Sequence, residues 1–329
     1  MLAFVACGWF AGWVLFIGLR RCVPSPDERN VSQTVSVIIP ARDEEKNLPR
    51  LLRSISSAQE IIVVDDCSRD QTREIAQTFR ARVIDGTPPP AGWRGKTWAC
   101  QQGADAATGD LLLFLDADTW LEGDAVSTIA SKSRDGALSV APYHCVPTLR
   151  EQFSAFFNLV MLAGAGPNQL LGQSLLLERS TYAAVGGHRA VRDQLLENFA
   201  LGEKLRGRAR SLLGRDVLHM RMYPRGWREL IDGWSKGFAD GAAQTSPLRL
   251  ALTVLWLTGC VAALGNLATY ASFAVQLAVL LRRIGSYRLL TALLYPLPLL
   301  FFFAVFTRSV FRTRTREGIL WKGRPARAA

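Results

Sequence analysis

The sequence predicts an α/β fold, with a mixed and mostly parallel sheet, and with transmembrane helices at both ends of the chain. Short apolar runs alternate with helical patterns through the first half, which is typical of parallel strands joined by right-handed crossovers. Long charge-free segments lie near both termini. At 329 residues, 49% of them hydrophobic, the chain has room for one large domain besides these segments.

Four short runs in the first half are predicted to be buried strands, because turn residues bound an apolar or β-branched core in each. They are Val35 to Ile39, Glu60 to Val64, Arg82 to Ile84 and Leu111 to Leu115. Helical spacing predicts the helices between them, which are Glu44 to Ser57, a helix capped by Ser68 or Asp70 that runs to Phe79, and Lys96 to Ala107. The second half is less regular, with strand-like runs at 137–143, 175–177 and 217–223 and a helix over 197–206.

The N-terminal apolar segment, Leu2 to Leu19, carries no charge and is long enough to cross a membrane. It has no basic leader and no small-residue cleavage site, which favours a retained anchor at 1–21 over a removed signal peptide. Arg20 and Arg21 follow it directly. Because such basic residues stay on the cytoplasmic side, we expect residues 34–225 to form a cytoplasmic domain.

The C-terminal apolar region, 249–311, contains a long charge-free run, Leu250 to Leu281, followed by a shorter run, Leu289 to Phe306. The first run exceeds the ~20 residues that cross a membrane. It predicts either one long tilted helix or a hairpin around Gly265 and Asn266. We expect the basic tail, 312–329, to be cytoplasmic, which favours one helix here and three spans over a hairpin and four spans.

Residues 226–246 predict an amphipathic helix. Its apolar face carries Trp227, Leu230, Ile231, Trp234 and Phe238. Two tryptophans on one face favour a helix that lies in the membrane interface, and packing in a protein core is the alternative.

The net charge of +11 does not indicate nucleic-acid binding. Much of the basic excess lies beside the apolar segments, where attraction to anionic membrane lipids explains it. No basic stripe with interleaved aromatic residues lies elsewhere. The six cysteines show no Cys-x-x-Cys spacing, so neither a zinc site nor a disulfide framework is predicted.

Acidic residues follow three of the predicted strands: Glu44 the first, Asp65 and Asp66 the second, and Asp116 and Asp118 the fourth. The carboxyl ends of parallel strands share one edge of a sheet, where ligands bind. Carboxylates at that edge suit the hydroxyl and imide groups of a nucleoside, and a divalent cation that holds a phosphate. No Gly-x-Gly-x-x-Gly is present. Gly95-Lys96-Thr97 resembles the end of a P-loop, but Pro90 stands where that motif requires its first glycine, so a P-loop is excluded.

Three blocks, at 35–45, 63–72 and 116–118, resemble the inverting glycosyltransferases of family 2, which have the GT-A nucleotide-diphospho-sugar transferase fold. Further blocks at 89–103, 221–227 and 233–238 resemble the membrane glycosyltransferases of carotenoid biosynthesis. The resemblance extends from residue 35 over nearly the whole chain. It implies a UDP-sugar donor and Mg²⁺ or Mn²⁺ as cofactor.

The resemblance also implies the residues of the site. For the nucleotide sugar they are Pro40, Ala41, Arg42 and Glu44 at the uridine, Asp65 or Asp66 at the uracil, Lys96 at the base or diphosphate and Asp116 at the ribose. Asp118 would bind the metal ion. The acceptor side would comprise Gly172, Gln173 and Ser174, with Trp227 and Trp234.

The general base is where this chain departs from the family pattern. Family members usually present Glu-Asp at the start of a helix, and that Asp deprotonates the acceptor, whereas this chain has Glu197 and Asn198. Either Glu197 or Asp193 acts instead, or the acceptor needs no base. Since a carboxylic acid is already ionised at pH 7, Asn198 favours a carboxylate acceptor.

The sequence therefore predicts a multi-pass enzyme of the cell membrane. It would transfer a hexose, glucose, from a UDP-sugar to the carboxylate of a lipid-soluble C30 carotenoid acid, with inversion. Two alternatives stay open: a polyprenyl phosphate, hopanoid or diacylglycerol acceptor, or a non-catalytic membrane scaffold supported only by Asn198.

Overall fold

The structure, a computed structural model, describes residues 2–24, 33–235, 238–314, 320–321 and 324–325. Two compact units are interleaved along the chain. The helical unit comprises Met1–Leu19, Tyr143–Pro167 and Arg221–Glu317, and the sheet unit comprises Arg20–Pro142, Asn168–Met220 and Gly318–Ala329. Residues 143–167, expected within the cytoplasmic domain, thus belong to the helical unit.

Strands β1 to β10 cover, in chain order, Val35–Ala41, Glu60–Asp65, Arg82–Asp85, Leu111–Leu115, Thr119–Leu121, Ala137–Ala141, Tyr143–His144, Ser174–Glu178, Ala209–Leu213 and Leu218–Met220. Seven of them form one sheet in the order β3-β2-β1-β4-β8-β6-β9. β8 is antiparallel to both β4 and β6, and the other pairs are parallel. This confirms the predicted mixed and mostly parallel sheet. β5 and β10 form a separate antiparallel pair, and so do Leu320–Trp321 and Arg324–Pro325.

Helices cover both faces of the sheet, because β1, β2 and β4 are apolar on both faces. The helices of this unit are α2 (Leu48–Ser54), α3 (Thr72–Thr78), α4 (Gly95–Ala106), α5 (Ala125–Ser131), α7 (Arg179–Ala184) and α8 (Glu197–Lys204), with α6 in the helical unit. α4 packs closely on β1 at Gly103, where a Cβ would stand only 2.4 Å from Ile38 Cγ2.

The helical unit contains α1 (Leu2–Leu15), α6 (Ala155–Ala165), α9 (Trp227–Trp234), α10 (Phe238–Gln244), α11 (Pro247–Ala262), α12 (Leu267–Ile284), α13 (Leu289–Leu293) and α14 (Pro296–Arg314). α1 lies against α11 at Gly8 and Gly259, where an added Cβ would come within about 3 Å of the opposite backbone. This close approach is typical of glycine at helix–helix contacts in membranes.

The run from Leu250 to Leu281 folds as a hairpin, so the single long helix that we favoured is wrong. Asn266 separates α11 from α12, and its side chain accepts hydrogen bonds from the first N–H groups of α12. Trp256 Nε1 donates to Gln276 Oε1 at 2.9 Å, and these residues lie at equal distances from Asn266 along the chain. The N-cap at Asn266 therefore decides the fold of this segment, and not the expected cytoplasmic position of the basic tail.

Among the residues that the structure describes, two helices are long and apolar enough to cross a membrane, at Pro247–Gly265 and Leu267–Ile284. α1 is shorter than predicted and ends at Leu15. Many large apolar side chains of this unit are exposed, among them Phe10, Val254 and Leu300.

Candidate active site

A small cleft lies at the carboxyl edge of the sheet unit, and its space, counted together with the open solvent at its mouth, is about 200 Å³. It is lined by Pro40, Lys96, Cys100, Phe114, Leu115, Asp116, Gly172, Gln173, His188, Glu197 and Asn198. Four of the predicted nucleotide and catalytic residues (Pro40, Lys96, Asp116 and Glu197) and two of the predicted acceptor residues (Gly172 and Gln173) therefore come together. The antiparallel pairing of β8 with β4 creates this meeting point, because it sets Ser174 opposite Leu115.

The loops that follow β1 and β2, residues 41–45 and 65–72, form the donor rim, which we name after its predicted role. Each loop binds the backbone of the other. Ser68 Oγ accepts from Asp43 N–H at 3.0 Å, Asp43 Oδ1 accepts from Arg69 N–H at 2.8 Å, and Thr72 Oγ1 accepts from Glu44 N–H at 2.8 Å. The rim is thus held in place by reciprocal hydrogen bonds to backbone groups.

Charged groups of the donor rim are also partly buried. Arg42 is 6% exposed. Its guanidinium donates to the backbone carbonyl of Asp66 at 2.8 Å and lies 3.6 Å from the side-chain carboxylate of the same residue. Asp65 Oδ1 accepts from Ser68 N–H at 3.2 Å, Ala41 is buried, and Glu44 is half-buried. These predicted nucleotide residues all lie on the rim, and their assignment to the uridine stays a prediction.

Lys96, in the first turn of α4, is surrounded by acceptors. Its Nζ lies 2.7 Å from Asp116 Oδ1 and 2.9 Å from Glu197 Oε1, and it donates to Gly172 O at 3.0 Å. Burial alone would lower the pKa of this ammonium, but the two carboxylates outweigh it and raise the pKa well above its usual value. Lys96 therefore carries a fixed positive charge that connects the end of β4 with the start of α8.

The candidate metal ligand, Asp118, follows Asp116 at the end of β4. No group of three His, Cys, Asp or Glu side chains suited to a metal ion occurs among the described residues. A hard cation such as Mg²⁺ needs only one or two protein carboxylates when substrate phosphates and water complete its coordination. The carboxylate of Asp118 is an oxygen ligand of the kind that such a cation takes, and its assignment to the metal ion stays a prediction.

Residues 171–174 and 197–198 form what we call the acceptor wall, of which Gly172, Gln173, Glu197 and Asn198 line the cleft. Asn198 Nδ2 donates to Leu171 O at 2.9 Å, and Asn198 is 5% exposed. Gln173 Oε1 is buried and makes no hydrogen bond to a described residue. Ser174, predicted on the acceptor side, is absent from the cleft lining because its hydroxyl pairs with the Val140 backbone at 2.7 Å.

Asp193, the second candidate base, does not line the cleft. It is exposed, its carboxylate accepts from Gln194 at 3.0 Å, and its backbone carbonyl accepts from Arg94 at 2.6 Å. Of the two candidate bases, only Glu197 is in the cleft, where it lies beside Lys96.

The two tryptophans predicted on the acceptor side both belong to the helical unit. Trp234 is only 4% exposed, stacks on Phe157 at 4.8 Å and donates to Ser154 Oγ at 2.9 Å, so it packs in a protein core rather than at an interface. Trp227 is half exposed. Within the predicted helix at 226–246 the structure describes α9 (Trp227–Trp234) and α10 (Phe238–Gln244), and residues 236–237 lie outside the described part.

His188 is a cleft residue that the sequence analysis did not select. It is 1% exposed, and its imidazole contacts the ring of Phe114 edge-on at 4.9 Å. The signal in the sequence was the preceding pair Gly186-Gly187, which indicated only a helix end.

This mixed sheet, with carboxylates and one lysine gathered at its carboxyl edge, defines a glycosyltransferase of the GT-A fold. The family model "Glycosyl transferase family 2" matches residues 36–196. The chain belongs to this family, as whole-chain similarity also establishes. The 4,4'-diaponeurosporenoate glycosyltransferase of Staphylococcus aureus strain USA300 is 33% identical over 329 residues, which covers 89% of this chain and 88% of the relative. The protein of the same name from strain bovine RF122 has the same identity and coverage.

A solved structure gives the same answer on the fold. A mannosyltransferase from Pyrobaculum calidifontis, in complex with GDP-Man and Mn²⁺, is 16% identical, has a TM-score of 0.57 and matches over 96% of both chains. At this identity the similarity concerns the fold alone.

Proposed function

We propose that this chain transfers glucose from UDP-glucose to the carboxylate of an apolar acid dissolved in the membrane, with inversion at the anomeric carbon. The acceptor class that we favour is a C30 carotenoid acid. The observation that carries the proposal is Asn198, an amide bound to the Leu171 carbonyl where family members usually present a carboxylate base.

A carboxylate acceptor explains this amide. Its oxygen attacks the anomeric carbon from the face opposite UDP, the bond to the β-phosphate oxygen breaks, and UDP leaves with the electron pair. Because the carboxyl group is already ionised at pH 7, no proton has to be removed. An alcohol acceptor would need a base. Glu197, the one candidate in the cleft, already binds Lys96 at 2.9 Å.

The named relatives support the same acceptor class, since they are 33% identical over most of both chains and carry the name of a carotenoid acid. Their name concerns those proteins. We extend it to this chain because a carboxylate acceptor also agrees with Asn198.

On the donor side, the proposal assigns the uracil to the donor rim, the ribose to Asp116 and the diphosphate to the end of β4. Lys96 lies there with a fixed positive charge, which would stabilise the negative charge that develops on the departing UDP. Asp118 would hold Mg²⁺ or Mn²⁺, which would supply further charge stabilisation to the diphosphate.

We also propose that the helical unit is embedded in a cell membrane, with the sheet unit in the cytoplasm. Two of its helices are long and apolar enough to cross a bilayer, and its exposed side chains include Leu267, 82% exposed, and Leu300, 69% exposed. In water such surfaces are costly, whereas in lipid they are solvated.

The test uses the full chain in detergent micelles with UDP-glucose and Mg²⁺. The acceptors are a C30 carotenoid acid and the matched C30 alcohol, with UDP release and product mass as readouts. We expect transfer to the acid alone, and a product that mild base hydrolyses as an ester.

Other outcomes would overturn parts of the proposal. Transfer to the alcohol, a hopanoid, diacylglycerol or a polyprenyl phosphate, but not to the acid, would contradict the carboxylate class. Binding of UDP without release from UDP-glucose, with every acceptor, would identify a non-catalytic scaffold.

A further inference from the structure

A turn formed by two glycines places His188 against Tyr182. Gly186 and Gly187 have φ values of 81° and 56°, and a Cβ at Gly187 would stand 2.5 Å from the Tyr182 ring. Only glycine fits this backbone conformation and this contact. His188 follows immediately and begins a short 3₁₀ helix, His188–Val191. The position of the imidazole is therefore set by the backbone conformation of this turn as well as by side-chain packing.

Hydrogen bonds around Tyr182 identify the tautomer of this imidazole. The Tyr182 hydroxyl accepts from His188 N–H at 3.0 Å, donates to Gln101 Oε1 at 3.2 Å, and lies 2.8 Å from His188 Nδ1. The Gln101 amide is oriented independently, because its Nε2 donates to Asp105 at 2.8 Å. A hydroxyl has one proton. Since Gln101 Oε1 can only accept, all of these contacts are satisfied when the hydroxyl gives its proton to Gln101 and Nδ1 carries the imidazole hydrogen, which it donates to the hydroxyl.

The other nitrogen, Nε2, is then an acceptor. It makes no hydrogen bond to any described residue, while the imidazole lines the cleft together with Lys96 and Glu197. An uncharged acceptor that lines the cleft can accept a hydrogen bond from a donor group of a bound ligand.

The imidazole is too weakly basic to replace the missing general base. Burial, and next the positive charge of Lys96, lower the pKa of His188 to about 3. A base with so low a pKa removes a proton from an alcohol inefficiently at neutral pH. Accepting a hydrogen bond is the role that remains.

We propose that Nε2 of His188 accepts a hydrogen bond from a hydroxyl group of the hexose being transferred, which makes His188 a specificity-determining residue for the sugar. This inference rests on the proposed function. Phosphate and carboxylate oxygens are excluded as partners because they carry no hydrogen. The proposed function assigns the uracil to the donor rim and the ribose hydroxyls to the Asp116 carboxylate, whereas His188 lines the cleft together with Gly172 and Gln173 of the acceptor wall. The sugar hydroxyls are the donors that remain.

The first test measures binding of UDP and of UDP-glucose to the full chain by calorimetry, without acceptor. In His188→Phe we expect UDP-glucose to bind about three- to tenfold more weakly and UDP to bind as in the wild type. His219→Phe is the matched control, since His219 is also buried but stacks on Trp120 and is absent from the cleft lining. It should change neither affinity.

Deoxy-glucose donors identify the hydroxyl. One of the 2-, 3-, 4- and 6-deoxy analogues of UDP-glucose should bind the wild type more weakly by the factor lost in His188→Phe. The same analogue should bind the variant no more weakly than UDP-glucose does. Equal weakening of UDP and UDP-glucose in His188→Phe, or the absence of any such analogue, would overturn the inference. A wild type that binds neither nucleotide would instead refute the proposed function, and the inference with it.

The tautomer is tested independently of affinity. Nitrogen-15 spectra of the imidazole should show a protonated Nδ1 and a bare Nε2, and UDP-glucose but not UDP should shift the Nε2 resonance. Tyr182→Phe removes the hydroxyl that orients the imidazole, and should therefore abolish the tautomer preference and weaken UDP-glucose but not UDP. A protonated Nε2 in the wild type would contradict the proposal.

Discussion

The donor rim and the acceptor wall both lie at the carboxyl edge of the sheet, but they are held by different kinds of interaction, and only the wall lines the cleft. On the rim, two neighbouring loops bind each other through side chains that accept from backbone N–H groups, as Thr72 does from Glu44 at 2.8 Å. The two parts of the wall are held by two side chains. The Lys96 ammonium contacts Gly172 and Glu197, and the Asn198 amide donates to Leu171 O. The rim is therefore robust to the loss of one side chain, and the wall depends on two.

Removing the charge of Lys96 should have the largest effect. In Lys96→Met, Asp116 and Glu197 would lose the cation between them, and the departing diphosphate would lose a nearby positive charge. We expect turnover to fall about hundredfold or more, measured as UDP release with saturating acceptor. Lys204→Met, at the exposed end of α8, is the control for net charge and should retain activity. Wild-type turnover in Lys96→Met would show that the ammonium acts only in assembly of the wall.

Asn198→Asp should have a smaller effect, and one that depends on the acceptor. A second carboxylate beside Glu197 would repel an acceptor carboxylate, so transfer to the acid should slow about tenfold, equivalent to about 1.4 kcal/mol. Transfer to the matched alcohol should rise, because the variant gains a base. Gln77→Glu adds the same charge at an exposed position on α3 and should alter neither rate. Faster transfer to the acid in Asn198→Asp would contradict the carboxylate class.

Thr72→Val should have the smallest effect, since the lost hydroxyl makes only two of the several hydrogen bonds that hold the rim, one from Glu44 N–H and one to Asp70. Thr72 is fully buried, and its loss leaves the Glu44 N–H without its partner. We expect the free energy of unfolding to fall by about 1 kcal/mol and UDP to bind about threefold more weakly. In Thr78→Val, on the same helix, the lost hydroxyl bonds only to Ile75 O at 2.7 Å, so UDP affinity should be retained. Equal changes in the two variants would mean that the rim is not specifically ordered by Thr72.

The same contrast explains what the sequence could predict. The rim follows two adjacent strands in fixed register, with Ala41 opposite Asp65, so strand ends and motif residues predicted its members. Lys96 reaches Gly172, which is 76 positions away, through the antiparallel return of β8. No periodicity indicates that partner. His188 was missed for a related reason, because its surroundings come from α4, β4 and α7.

Two misjudged elements of the helical unit have local causes. Asn266 is a good N-cap, and this local signal indicates the boundary between α11 and α12. The expected cytoplasmic position of the basic tail favoured one continuous helix instead. Trp234 sits on an amphipathic stripe that fits an interface and a core equally well. The partner that decides, Phe157, lies far away in the chain.

The contact between α1 and α11 has a consequence for biosynthesis. α1 is synthesised before the strands of the sheet, yet two groups that contact it are synthesised after them: Gly259 packs on Gly8, and Gln276 donates to Trp9 O at 2.7 Å. α1 therefore lacks these contacts while residues 20–220 are synthesised. A chain shortened at its N-terminus would lose a partner of its C-terminal hairpin, so truncating the first helix is a poor strategy for producing a soluble enzyme.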